Sequence, residues 1–70
     1  MWIKCEDGSY VNSNRVWFFD ILNSEPSKVY ANFNDGDYRV VSEHRTQEAA
    51  QKALDRLIEE IVEEGRKFNV

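Results

Sequence analysis

Residues 15–22 read RVWFFDIL, and both of their alternating rows are apolar except at Asp20. Val16, Phe18, Asp20 and Leu22 form one row, and Trp17, Phe19 and Ile21 form the other. A run so rich in aromatic and β-branched residues reads as a strand. An antiparallel strand with one face in water alternates apolar with polar residues. This one does not, so either both of its faces are covered or an apolar row stands open. The rest of the chain decides how much cover exists.

Seventy residues hold a single core, and residues 1–70 are read as one domain, with strands over about 1–43 and a helix over about 46–64. In the helix, Ala50, Leu54, Leu57, Ile58, Ile61 and Val62 recur at three- and four-residue steps, with Lys52, Asp55, Arg56, Glu59 and Glu63 opposite. Thr46 is placed to cap it, and Glu48 puts an acid in its first turn. Gly65 reads as the residue just past its end, followed by Arg66 and Lys67.

Everything earlier reads as strand. Residues 2–5 alternate and stop at Asp7-Gly8, so that Tyr10 and Val11 pair back. Asn12, Ser13 and Asn14 then interrupt the pattern. Residues 23–27 hold the only proline and read as a loop, residues 28–33 alternate, and the turn around Gly36 returns the chain into residues 38–43. The predicted fold is α+β: an antiparallel meander of four to five strands with one C-terminal helix on one face.

One helix covers one side of such a sheet. The other side is expected to carry Trp17, Phe19 and Ile21, joined by Tyr30 and, depending on register, Trp2. Loop 23–27 and the tail residues Phe68 and Val70 are the segments within the chain that would fold over it. Otherwise the open row is a contact surface for a second copy or for another protein, since interface cores favour Trp, Tyr and Phe.

Nine Lys and Arg against thirteen Asp and Glu give a net charge of −4. That sign opposes nucleic-acid binding, where neutralising phosphate supplies most of the affinity. Sheet aromatics with Arg15, Lys28 and Arg39 nearby leave a single-stranded nucleic-acid module as the alternative. The acids gather late: Asp55, Glu59, Glu60, Glu63 and Glu64 form a stripe with like charges four residues apart, which works mildly against the helix. The stripe reads either as a solvated face or as an acidic surface for a basic partner.

No catalytic constellation is expected. Cys5 and His44 are each the only residue of their type, Cys5 lies in an apolar strand, and no glycine-rich phosphate loop or metal-ligand spacing occurs. No cofactor or metal is expected. No apolar run reaches the roughly 18 residues of a membrane helix, and a lone thiol fits the cytoplasm.

Met1, Trp2 and Ile3, the Val11-Asn12 step, and Thr46, Glu48, Ala50, Leu54 and Ile58 resemble the layout of small uncharacterised proteins from Gram-positive bacteria and their phages and plasmids. That group brings no catalytic or ligand-binding residues to carry over. The resemblance implies a mobile-element setting, in which small acidic proteins act by occupying a host or defence protein. The functional expectation is a non-enzymatic protein-interaction module, homodimeric or bound to such a partner.

Overall fold

A computed structural model describes the backbone of residues 1–68 and the side chains of residues 1–66. The elements run β1 (Trp2–Lys4), β2 (Tyr10–Asn12), β3 (Phe18–Leu22), β4 (Glu25–Asn32), β5 (Tyr38–Glu43) and α1 (Gln47–Phe68). The class is α+β, with all neighbouring strands antiparallel. The strands do not form one meander. β1 and β2 make a two-stranded sheet of their own, and β3-β4-β5 make a second.

The division arises at residues 13–15, where the chain turns through a short 3₁₀ helix. Asn12 Oδ1 accepts from the Asn14 N–H at 3.0 Å, and the Ser13 N–H donates to the Met1 carbonyl at 2.8 Å. These local bonds draw the chain out of the extended ladder before β3 begins. β3 is accordingly shorter than residues 15–22. The two hairpin turns match their glycines: Gly8 and Gly36 adopt φ of +89° and +91°, beside Asp7 and Asp35 whose carboxylates accept from backbone N–H groups two residues on.

The expected loop over residues 23–27 contracts to a turn at Asn23 and Ser24, and Pro26 lies within β4. Proline has no N–H to give a ladder, and the β3–β4 register shifts between Asp20 and Leu22, where the ladder reaches this end of β4.

α1 crosses the middle strand. Val29 and Ala31 of β4 and Ala50 of α1 are fully buried, and the absence of a long side chain at positions 31 and 50 lets the helix sit close. The β1–β2 hairpin packs beside the helix. Its Ile3, Cys5 and Val11 meet Phe19, Phe33, Val41, Leu57 and Ile61, so the two sheets share one core.

The helix buries a narrower stripe than its periodicity promised. Ala50, Leu54, Leu57 and Ile61 are buried or half-buried, whereas Ile58 and Val62 are exposed. Thr46 does cap it, accepting from the Ala49 N–H on its Oγ1 at 3.1 Å. Gly65 does not end it: α1 continues to Phe68, and Gly65 lacks a positive φ. A Cβ at position 65 would meet nothing within 4 Å. Gly65→Ala is therefore expected to raise stability by about 0.5–1 kcal/mol, read as a higher midpoint in urea. The tail residue Val70, and the side chain of Phe68, lie outside the described residues.

Candidate interaction surfaces

Pairing fixes which side chains share a face. Phe18 sits opposite Asn32, Asp20 opposite Tyr30, Tyr30 opposite Val40 and Asn32 opposite Tyr38. These residues form the outer face of the three-stranded sheet, away from α1. Phe19 sits opposite Ala31 on the inner face and packs against the Ile3–Cys5–Val11 cluster.

The row expected to lie open is thereby divided. Tyr30 is on the outer face, but it is only 3% exposed, with its ring edge-on to Tyr38 at 5.7 Å. Phe19 and Ile21 are half-buried, and Phe19 belongs to the core. Trp17 is 70% exposed and stacks edge-on with Phe18 at 5.4 Å. Trp2 is exposed too, but on the other sheet, where it shares the outer side of the hairpin with Tyr10. The residues that accompany Tyr30 outward are Phe18, Leu22 and Tyr38, all exposed. One signal for them lay in the sequence: Asp20 shares their row, and a carboxylate without a buried counter-charge selects the water-facing side.

The polar groups on this face are paired among themselves. Asn32 Nδ2 donates to Asp20 Oδ1 at 2.9 Å, and Lys28 Nζ lies 3.5 Å from Glu25 Oε1. Arg39, in the opposite row across from Ala31, pairs with Asp37 at 3.4 Å. Two of the three cations that a phosphate backbone would need are thus already engaged by acids.

The helix stripe is also less uniform than its spacing implied. Glu64 reaches the N-terminal ammonium at 3.6 Å, Glu63 pairs with Arg66 at 3.2 Å, and Asp55 accepts from Gln51 Nε2 at 2.9 Å. Among the described residues Glu59 and Glu60 have no ion pair, and neither Lys52 nor Arg56 forms one. Glu59 and Glu60 border a shallow groove between α1 and β5 that is floored by Val29, Val41 and Leu57.

Cys5 is buried, and burial, reinforced by the Asp7 carboxylate, pushes its thiol pKa up. A thiol so placed is a weak nucleophile at neutral pH. Because the unfolded thiol ionises first, this group's contribution is intact below the unfolded pKa of about 8.5 and is lost as pH rises toward the higher folded value. Alkylation of Cys5 is expected to be at least about tenfold slower in the native protein than in urea, measured by mass spectrometry. His44 accepts or donates at Nε2 to Ser42 Oγ, 2.8 Å away.

Asp7 is fully exposed, and hydrogen bonds from Ser9 hold its carboxyl below the usual carboxylate range. Among the described residues, no group of three or more His, Cys, Asp or Glu is placed to hold a metal ion, and no helix is long and apolar enough to cross a membrane. No protein-family model, curated protein or solved structure matches the chain.

Proposed function

We propose that this protein is a non-enzymatic interaction module that binds another protein chain through the outer face of its three-stranded sheet. The observation that carries this reading is the set of exposed apolar side chains Phe18, Leu22 and Tyr38 on a face that no element described here covers, with the exposed ring of Trp17 edge-on to Phe18 beside them. Interface cores are enriched in such side chains. The resemblance in layout to small proteins of phages and plasmids adds a setting: a cytoplasmic accessory or inhibitor of a host or defence protein.

A single-stranded nucleic-acid partner is less well supported. Trp17 and Phe18 offer stacking surfaces, but Lys28 and Arg39 are paired with Glu25 and Asp37, and the net charge is −4. Glu59 and Glu60, which have no ion pair among the described residues, offer a basic protein a second, acidic contact.

The test is a photo-cross-linking amino acid placed in the native host at position 17, at position 38 and, separately, at position 59. Adducts with one protein from positions 17 and 38 support the sheet face. Adducts from position 59, abolished by Glu59→Lys with Glu63→Lys, move the contact to the helix. A labelled oligonucleotide that binds with a steep salt dependence favours the nucleic-acid alternative, and adducts from none of the three positions count against the module.

A further inference from the structure

We propose that the cleft between β2 and the β4–β5 turn is a binding site for a neutral saccharide. The proposal goes beyond the interaction-module reading and does not depend on it. The cleft holds about 700 Å³, a volume usual for small-molecule sites. Its floor is apolar, with Val11 buried and Val16 and Phe33 half-buried. One wall is β2 with the 3₁₀ turn that follows it. The other is the turn after β4, together with Arg39 on the inner row of β5.

The hydrogen-bonding groups at the rim are held in place but not used up. The Asn14 N–H donates to Asn12 Oδ1, and the Asp37 N–H donates to Asp35 Oδ1, each at 3.0 Å, so local bonds set both turns. Among the described residues, the side-chain amides of Asn14 and Asn34 and the Arg15 guanidinium make no hydrogen bond, and Asp35 keeps Oδ2 free. Neighbouring sugar hydroxyls present donors and acceptors side by side, and a planar amide, guanidinium or carboxylate meets two of them at once. Tyr10 and Trp17 also line the cleft, and both are exposed. The face of an aromatic ring carries partial negative charge and attracts the C–H groups along one face of a pyranose. Trp and Tyr supply such area at little conformational cost.

Charge selects the ligand class. Arg15 and Arg39 face Asp35 and Asp37, so the formal charges of the cleft cancel, and Arg39 already pairs with Asp37 at 3.4 Å. A ligand bearing phosphate would meet both carboxylates, and a cationic ligand would meet both guanidinium groups. A wholly apolar ligand would strip water from the amides and Arg15 without replacing it. A neutral polyol avoids all three penalties.

The experiment is an NMR titration of the full chain, following backbone amide shifts. Maltotetraose, cellotetraose and the tetramer of N-acetylglucosamine are added separately to about 5 mM, with adenosine monophosphate and benzyltrimethylammonium as charged controls. The expected result is saturable shifts over residues 14–17 and 34–37 with at least one tetrasaccharide, at a Kd of about 0.1–1 mM for a cleft this open, and none with the controls. Trp17→Ala and Asn34→Ala are each expected to weaken binding by about tenfold with the melting temperature nearly unchanged, since both residues are exposed. Leu22→Lys, on the outer sheet face, is expected to leave binding as it is.

No saturable shift with any of the three tetrasaccharides overturns the proposal. Saturation by a charged control alone overturns the ligand class, and so the proposal. Shifts centred on Phe18, Leu22 and Tyr38, or binding that survives Trp17→Ala unchanged, place the contact elsewhere and also overturn it. Each of these failures leaves a protein contact through the outer sheet face standing.

Discussion

Tyr30→Ala is expected to remove about 3–5 kcal/mol of stability, whereas Trp17→Ala changes it by less than about 0.5 kcal/mol. Both are large aromatic residues near the same sheet, and the difference is burial. Tyr30 lies in the middle strand, opposite Asp20 and Val40, and is 3% exposed. Its ring meets Tyr38 edge-on, an arrangement worth about 0.5–1.5 kcal/mol beyond the area it hides. Removing it leaves a hole that neighbouring strands cannot collapse into without breaking their ladders. A domain of this length has about 4–10 kcal/mol in total, so the alanine variant is expected to sit near its unfolding midpoint at room temperature. Trp17 stands in water against Phe18 and loses little on truncation. Urea unfolding followed by circular dichroism checks both. Equal losses at the two positions would show that Trp17 is a core residue, which would weaken the functional reading built on its exposure.

Ala50→Leu carries the second large effect, by the opposite mechanism. Ala50 is fully buried where α1 crosses β4, and Ala31 of β4 is fully buried as well. Three added carbons have no void to enter, so the helix must rise or its side chains leave their rotamers, at about 1–3 kcal/mol. Each kcal/mol lowers the melting temperature of a domain this size by roughly 4–8 °C. Lys52→Leu, two residues on and exposed, is expected to change it by less than about 0.5 kcal/mol. The pair of measurements separates crowding at the crossing from any general effect of leucine on the helix.

The helix, the two glycine turns and the strand over residues 38–43 were legible because their signals are local. A cap, a periodicity of 3.6 and a positive φ are each set within a few residues. Gly65 shows the limit of such signals: the same residue that often closes a helix lies here inside one, because the chain around it goes on making helical bonds. The division into two sheets was not legible. It depends on the bonds of Asn12 and Ser13, which compete with extending the β2 ladder into β3. The membership of the outer face was half legible. Alternation in residues 15–22 gives two rows, but which row Tyr30 joins depends on the offset between strands, and a one-residue slip exchanges the faces.

From its sequence alone this chain had to become strands followed by one capped helix, too few elements to cover both sides of a sheet that is apolar on both. Side-chain period and turn chemistry are properties of neighbours along the chain, and they suffice for that much. Only the tertiary structure decided that Phe19 enters the core while Phe18 stays out, and that Tyr30 is buried while Trp17 is not. Those outcomes depend on strand register and on where the β1–β2 hairpin docks. Both are fixed by contacts between residues far apart in sequence, which no local pattern records.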